Sequence, residues 1–372
     1  MRLGVKAALA GGELVHGDVD IEDGAIARLG VSPAGSDGTA VPGFLDLHIN
    51  GIAGVDFLAA DDEAYRRAGE ALARTGVVAY QPTFVSSDPN AYDEPLAAGA
   101  AARDAAAAAG LPIVLGVHLE GPFLSPEWPG AHDPEHLRQP DPELTERLLA
   151  LGPVTTMTLA PELPGALELI DLLLARGVVV SCGHSDADAA QAHAAFDRGA
   201  RAITHVHNAH RRWRPRDPGL GGVALVRPQV TVQAIVDDVH LAPETAYGAF
   251  LASRERFCLV TDAIEAALLD PGEYELGGRS VRVRDGAVRL PDGRLAGSVL
   301  TMDEAVRNLV ASGADWTSAV HAASTAPARL IGRDDLGRLD VGLPAHVTVL
   351  DDDLQVRTTL VGGREALTAS GA

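Results

Sequence analysis

From residue 43 onward, short apolar runs rich in Val, Ile and Thr alternate with longer segments in which apolar residues recur at helical spacing. The short runs predict buried strands, and the longer segments predict helices. Strands are predicted at 43–48, 77–83, 113–120, 154–160, 178–184, 202–207, 230–236 and 257–262. Helices are predicted at about 61–75, 91–109, 142–151, 163–176, 186–198, 243–254, 303–312 and 316–330. This alternation indicates parallel βα units, and eight of them predict an α/β fold with a (β/α)8 barrel.

Four segments depart from this pattern. Residues 1–42 and 336–372 show short alternating strands with Gly and Asp-Gly turns, so we expect both chain ends to pair into one small β-sandwich. Residues 43–335 would then form the barrel, with a β-hairpin insertion near 273–294. The sixth crossover, 211–229, is rich in Arg, Pro and Gly, which predicts a long loop with at most a short helix.

Charge limits the kinds of partner. The formal net charge of −21 argues against nucleic acid and anionic membranes, because the mean field repels both. An anionic small substrate would need a local basic pocket. No apolar run approaches the roughly 18 residues that span a bilayer, and the N-terminal segment turns polar too early for a secretory signal. We therefore expect a cytoplasmic protein.

Cysteine and lysine usage narrows the chemistry. Cys182 and Cys258 lie in apolar strand-like runs, which predicts buried thiols without a disulfide or metal role. Lys6 is the only lysine in the chain. A buried lysine acting as a Schiff base or as a carbamylated metal bridge is therefore excluded from the barrel.

Polar residues cluster at the ends of the predicted strands. His48, Glu120, His184, His205 and Asp262 each lie at, or within two residues of, a strand end. The C-terminal strand ends of a (β/α)8 barrel converge on one mouth, where the chemistry takes place. A single histidine there is more often a hydrogen-bonded structural residue, and Asp262 also suits a helix N-cap. The grouping of all five favours a functional site.

The residue types in this group point to hydrolysis. Glu120, His184 and His205 offer one carboxylate and two imidazoles, the ligand set of a hydrolytic zinc site with an open position for water. Such an ion lowers the pKa of water towards about 7. Asp262 would be the catalytic acid/base, which takes a proton from the water and passes it to the leaving amine. We expect one divalent ion per subunit, zinc by preference, with iron, cobalt and manganese as alternatives.

His48 and Asn50 define a weaker second metal position. A His-x-His on the first strand would supply two further ligands, but Asn stands at position 50. Because Asn is a poor ligand for a borderline-soft metal, one tightly held ion is expected.

Arg216 and His240 are the candidates for an anion pocket. Arginine suits phosphate because its planar fork makes paired charge-assisted bonds, and turn-forming residues after Arg216 would fix its position. Arg211, Arg212 and Arg214 lie nearby, but a run of arginines in a loop is more often solvated surface.

Nine motifs, in their order along nearly the whole chain, resemble those of the N-acetylglucosamine-6-phosphate deacetylase family of the amidohydrolase superfamily. They are PGFLDLHING (42–51), HLEGPF (118–123), GAHDP (130–134), GHS (183–185), THVHNA (204–209), RDPG (216–219), DDVHL (237–241), TDA (261–263) and LAGS (295–298). Together they are highly specific, whereas GHS alone would carry no weight.

The resemblance implies hydrolysis of N-acetyl-D-glucosamine 6-phosphate to D-glucosamine 6-phosphate and acetate. It implies a homodimer in which a basic residue of the partner completes the phosphate pocket. It assigns the metal to Glu120, His184 and His205, acid/base catalysis to Asp262, and the 6-phosphate to Arg216 and His240. The other substrate-binding residues that it implies are Ala131, His132, Asn208, Ala209, Leu295, Ala296, Gly297 and Ser298. His132 would stabilise the developing oxyanion or orient a hydroxyl.

Departures from the family pattern leave alternatives open. His207 and His210 stand where the family usually has an aromatic residue and a methionine, and 211–215 is unusual in content. N-acetylgalactosamine 6-phosphate is therefore an alternative substrate, and His207 either adds a metal contact or replaces aromatic packing. An N-acyl amino acid or cyclic amide hydrolase would not need Arg216 and His240. A barrel that had lost catalysis and acts as a binding module would usually have lost its ligands, which are all present here.

Overall fold

The structure, a computed structural model, describes residues 1–368. The first strands are β1 (Ala7–Ala10), β2 (Glu13–His16), β3 (Asp18–Glu22), β4 (Ala25–Val31) and β5 (Thr39–Pro42). The middle elements are β6 (Phe44–Ile49), β7 (Gly51–Ile52), β8 (Val55–Asp56), α1 (Asp62–Arg74), β9 (Val77–Val85), α2 (Asp93–Ala109), β10 (Ile113–Val114), β11 (Val117–Glu120), α3 (Pro142–Leu151), β12 (Val154–Leu159), α4 (Ala166–Ala175), β13 (Val179–Cys182), α5 (Ala189–Arg198), β14 (Ala202–Ile203), α6 (Gly219–Val226), β15 (Thr231–Ala234), α7 (Pro243–Ser253) and β16 (Phe257–Leu259). The last elements are β17 (Glu273–Leu276), β18 (Arg279–Arg284), β19 (Ala287–Arg289), α8 (Met302–Ala311), α9 (Trp316–Ala323), α10 (Thr325–Leu330), β20 (Val347–Leu350), β21 (Val356–Val361) and β22 (Arg364–Thr368).

A ring of parallel strands encloses the main core. Its order is β6, β9, β11, β12, β13, β14, β15 and β16, and β10 is the first half of the third strand, interrupted at residues 115 and 116. The ring closes beyond the ends of β16 and β6, where the Asp262 N–H donates to the His48 carbonyl at 2.8 Å and Ile49 bridges to Ala263. The predicted (β/α)8 barrel is therefore confirmed, and its C-terminal strand ends share one mouth.

The crossover helices pack an apolar face on this ring. In α1 the buried Ala64, Ala68 and Leu72 recur every four residues, and the Asp61 carboxylate caps the helix by accepting the Ala64 N–H at 2.8 Å. The sixth crossover contains only the short helix α6, as predicted. The prediction of one helix over 316–330 was wrong, because Pro327 has no N–H to donate to the Ala323 carbonyl and the segment divides into α9 and α10.

Both chain ends build a second, smaller core. One sheet has the order β2, β1, β5, β20, β21 and β22, so strands from the two ends are hydrogen-bonded neighbours. The β3–β4 hairpin packs on it through Val19, Ile21 and Ile26, which contact a cluster that includes Ala40 and Val347. This confirms a small β-sandwich from both ends, while its division from the barrel at 42 and 336 stays a prediction.

The segment after the eighth barrel strand forms a third sheet, hereafter the inserted sheet, of β17, β18 and β19 in antiparallel order. Val281 and Val288 pack in a cluster with Val85, at the end of β9, and Ile264, which follows β16. The inserted sheet therefore stands on the mouth of the barrel.

The acid side of the stability profile should depend on His346, which precedes β20. Its Nδ1 accepts the Gly362 N–H at 3.2 Å, and burial lowers the pKa of the imidazole to about 4. In the unfolded chain the imidazole of His346 takes up a proton near pH 6.5, whereas in the folded protein it does so only near pH 4. The contribution of neutral His346 to the free energy of unfolding is therefore fully present above pH 6.5 and is lost as the pH falls towards 4. Between pH 7 and pH 5, His346 should lower the free energy of unfolding by about 2 kcal/mol.

Urea unfolding at the two pH values measures that loss. His346→Asn is the matched variant, because an Asn Oδ1 can accept the Gly362 N–H and does not titrate. The loss should shrink by about 2 kcal/mol in the variant; equal losses in both proteins would contradict the assignment.

Both cysteines are free and buried, as predicted, and burial raises the pKa of each thiol. Across residues 1–368, no helix is long and apolar enough to span a bilayer.

Candidate active site

Four side chains from separate strands meet at the mouth of the barrel. Glu120 ends β11, His184 and His205 lie two residues beyond β13 and β14, and Asp262 lies three residues beyond β16. All four are buried, and Asp262 is the most exposed at 8%. Strand ends that are far apart in sequence therefore place these groups in one enclosed volume.

The backbone is unusual at three of these positions. His184, His205 and Asp262 have φ angles of +48°, +30° and +49°. Residues other than glycine rarely occupy this region, and such strain concentrates at functional sites because the surrounding structure has to hold it. The backbone at these three residues therefore adopts a conformation of higher local energy, which places their side chains at the mouth of the barrel.

Glu120, His184 and His205 converge tightly. Glu120 Oε1 lies 3.0 Å from the Nε2 atoms of both histidines, which are 3.1 Å apart. Ligands about 2.0–2.1 Å from a tetrahedral ion lie about 3.3 Å from one another, so the spacing fits a metal centre. Among the described residues, these three form the group that could hold a metal ion.

The state of His184 also suits a ligand. Its Nδ1 lies 3.0 Å from the Trp128 carbonyl, to which it donates, so Nε2 keeps its lone pair and points at Glu120. Burial lowers the pKa of His184 to about 4, so the ring is neutral at pH 7. A neutral, oriented imidazole is the form that binds zinc.

Asp262 faces this centre across His48. Asn50 Nδ2 donates to Asp262 Oδ1 at 2.7 Å, while His48 Nε2 lies 3.1 Å from the same oxygen and 3.4 Å from Glu120 Oε2. Burial alone would raise the pKa of Asp262, but the contact with His48 outweighs it and holds the pKa below its ordinary value. The segment after Asp262 is a turn, so this residue does not cap a helix.

His132 lies on the other side of Glu120. Its Nδ1 accepts the Ser86 N–H at 3.1 Å, so the ring proton is on Nε2, which is 3.3 Å from Glu120 Oε2. Burial would raise the pKa of Glu120, but His48 and His132 together hold it well below its usual range. The carboxylate is therefore ionised and ready to bind a cation.

A cavity of about 650 Å³ opens above these groups. The predicted substrate-binding residues in its wall are Ala131, His132, Asn208, Ala209, His240, Leu295 and Gly297. Ala296 and Ser298 are not in the wall. Ala296 packs in the core of the inserted sheet, and Ser298 Oγ donates to the Thr261 carbonyl at 2.6 Å.

The end of the cavity that is lined by Arg211, Arg212 and His240, hereafter the basic end, differs from the prediction. Arg216 is exposed and is not in the wall, whereas Arg211 and Arg212 are. Arg211 pairs with Asp186 and Asp217, but Arg212 has no acidic partner within residues 1–368. The side chain of Arg212 is exposed, as expected of solvated surface, and it also lines the cavity.

His240 and His207 also face this end. His240 donates from Nδ1 to Asp237 Oδ2 at 2.7 Å, which orients its ring. His207 is outside the group of metal ligands and stacks on Trp213, with ring centroids 6.4 Å apart and planes at 19°. Of the two roles predicted for His207, the geometry favours packing.

Trp128 and Arg294 line the cavity without having been predicted. Trp128 precedes the GAHDP motif by two residues and Arg294 directly precedes LAGS, so adjacency to a motif was the available signal.

A (β/α)8 barrel that gathers a carboxylate, two imidazoles and a facing aspartate at its strand ends is the architecture of a metal-dependent hydrolase. A model of the Amidohydrolase family matches residues 39–366. The chain belongs to that family and, within it, to the N-acetylglucosamine-6-phosphate deacetylase family.

Three similar proteins illustrate the relationship. N-acetylglucosamine-6-phosphate deacetylase of Lysinibacillus sphaericus is 34% identical over 93% of this chain and 92% of its own. N-acetylgalactosamine-6-phosphate deacetylase of Escherichia coli O157:H7 is 36% identical over 87% of both chains. An Asp-to-Ala variant of the Mycobacterium smegmatis N-acetylglucosamine-6-phosphate deacetylase, solved with N-acetyl-D-glucosamine-6-phosphate, has a TM-score of 0.92 and 34% identity over 98% of both chains.

Proposed function

We propose that this protein hydrolyses N-acetyl-D-glucosamine 6-phosphate to D-glucosamine 6-phosphate and acetate. The convergence of Glu120, His184 and His205 within 3.0–3.1 Å, with Asp262 beside them, carries this proposal. The names of the similar proteins support the substrate class.

Glu120, His184 and His205 would hold one divalent ion, which we take to be zinc from the mixed nitrogen and oxygen donor set. When bound, the ion supplies Lewis acidity towards the acetyl carbonyl and makes a water molecule more acidic. The Trp128 carbonyl keeps His184 in the correct tautomer, which is the usual function of an outer partner of a metal-binding histidine.

Asp262 moves the proton. Its carboxylate is ionised at neutral pH, so it can accept a proton from the attacking water and then donate it to the departing nitrogen. Asn50 and His48 both contact Oδ1, which leaves Oδ2 for this exchange. A histidine at position 50 would be a ligand of a second metal, and the Asn50 present there instead orients the carboxylate of Asp262.

His132 would stabilise the acyl oxygen. Because the Ser86 N–H occupies Nδ1, Nε2–H is a donor, and it lies beside Glu120 at the floor of the cavity. A donor fixed in this way before the reaction can stabilise negative charge that develops there.

The 6-phosphate would lie at the basic end. We propose that His240 and Arg212 bind it inside the cavity and that Arg216 adds charge from the rim. The homodimer, the basic residue from the partner and the cytoplasmic location stay predictions.

Arg212→Ala should raise the KM for N-acetyl-D-glucosamine 6-phosphate about 10-fold to 100-fold with little change in kcat, because a charge-assisted bond contributes about 1.5–3 kcal/mol. The unphosphorylated sugar should be turned over at the wild-type rate. Arg214→Ala, on the same loop, is the control, and Arg216→Ala measures the contribution from the rim. Equal kinetics for Arg212→Ala and Arg214→Ala would contradict the contact.

N-acetylgalactosamine 6-phosphate is a second candidate substrate, since one similar protein is named for it. Acetate release from a panel of N-acetylhexosamines with and without the 6-phosphate separates the candidates. The proposal expects the highest kcat/KM for the glucosamine 6-phosphate derivative. Faster turnover of the galactosamine epimer would change the assigned substrate, and no acetate from any of them would overturn the deacetylase activity.

A further inference from the structure

We propose that Arg279 and Arg294 of the inserted sheet are positioning residues for the hydrolytic centre, acting through the segment 128–132, hereafter the cavity loop. This inference rests on the proposed function for its kinetic consequence. Its structural part, the effect on a metal ligand, can be measured without any substrate.

The cavity loop touches the catalytic centre at three points. The Trp128 carbonyl accepts from His184 Nδ1 at 3.0 Å, and His132 Nε2 lies 3.3 Å from Glu120 Oε2. Gly130, at φ +56°, lies so close to His184 that an added Cβ would be 2.8 Å from the ring Cε1. A shift of this loop would therefore move or release both His184 and His132.

The other side of the loop is held by the inserted sheet. Arg279 Nη1 donates to the carbonyls of Ala131 and His132 at 2.9 and 3.1 Å, and Arg294 Nη1 donates to the carbonyl of Gly130 at 2.6 Å. Two guanidinium groups thus bind three successive carbonyls of a segment that belongs to no strand or helix. Hydrogen bonds from a charged donor are about twice as strong as neutral ones.

The two arginines differ in how they are themselves held. Arg294 is anchored by Asp292, whose Oδ2 accepts from its Nε and Nη2 at 2.9 and 2.7 Å, which leaves Nη1 for the loop. Arg279 forms no ion pair in the described part of the chain, although its charge helps to lower the pKa of Asp292, so its loop contacts are its main polar bonds. Valines and leucines of the inserted sheet form its own core, so the arginines are not needed to hold that sheet together.

The geometry therefore points to a mechanical link. The inserted sheet packs on the barrel mouth, and the hydrogen bonds from its two arginines hold the cavity loop in contact with the metal ligands. Misplacing a catalytic group by about 1 Å can cost about 100-fold in rate, and losing an outer partner of a metal ligand costs about 10-fold to 100-fold in metal affinity.

The test compares Arg279→Met, Arg294→Met and the double variant with Arg282→Met, an exposed arginine of the same strand β18 that pairs with Glu273. In the double variant, kcat for acetate release should fall about 10-fold to 100-fold while KM changes less than about threefold. Zinc affinity, measured by competition with a chelator, should fall about 10-fold or more. Arg279→Lys combined with Arg294→Met should recover part of the loss in kcat and part of the loss in zinc affinity, because an ammonium group can also donate to two carbonyls.

Two results would overturn the inference. One is zinc affinity and kcat in the double variant equal to those of Arg282→Met. The other is that Arg279→Lys combined with Arg294→Met shows the same losses as the double variant, because a merely structural defect would not be rescued by lysine. Loss of zinc affinity in a protein that releases no acetate even as wild type would retain the inference and refute the proposed function.

Discussion

An Asp262→Asn variant is expected to release acetate about 100-fold to 10,000-fold more slowly than the wild type, with little change in KM and with its metal ion still bound. The amide keeps the shape of the side chain but can neither accept the proton of the attacking water nor deliver it to the leaving nitrogen. The contacts that Asn50 and His48 make with Oδ1 would hold the substituted side chain in place. Steady-state kinetics together with elemental analysis of the purified protein measure both parts.

The matched control is Asp270→Asn, which makes the same chemical change at an exposed position after the eighth strand. It should be indistinguishable from the wild type. If Asp262→Asn keeps more than about a tenth of the wild-type kcat, or loses its metal, Asp262 is not the proton carrier proposed here.

Removing one member of the group Glu120, His184 and His205 should have an equally large effect through a different cause. In His184→Ala we expect the bound metal to fall from about one ion per subunit to near zero, and acetate release to fall at least about 1,000-fold. Two remaining ligands cannot hold a tetrahedral ion tightly, and Glu120 would keep its charge in a buried site.

A chelator experiment on the wild type separates loss of the ion from loss of the fold. The stripped wild type should be inactive and should recover when zinc is added, whereas stripped His184→Ala should not recover. His16→Ala, an exposed histidine of β2, should behave as the wild type. Full activity in a metal-free wild type would contradict the metal-dependent mechanism.

Much of the fold and part of the site could be predicted from local patterns. The eight apolar runs predicted the barrel strands because a strand enclosed on both faces has to be apolar throughout. The strand-end rule then placed Glu120, His184, His205 and Asp262 on one mouth, and the structure brings them together. A local rule also explains the break in the helix over 316–330, since Pro327 is visible in the sequence.

The basic end of the cavity could not be read in the same way. Five arginines lie within 211–227, and sequence reasoning selected Arg216 from its turn-forming neighbours. In the structure Arg212 faces the cavity and Arg211 is paired with acidic residues. The direction of a loop side chain depends on where the loop lies against remote segments, and no periodicity encodes that.

The sequence by itself determined the barrel, the sandwich formed from both chain ends and the residue types at the strand ends, because hydrophobic spacing follows from the repeat of strand and helix along the chain. Only the tertiary structure decided that Asn50 holds Asp262, and that Arg279 and Arg294 bind carbonyls 148 and 164 residues away. Such contacts arise from the closure of the ring and the packing of the inserted sheet on its mouth. They depend on distances between elements and not on the order of residues within one.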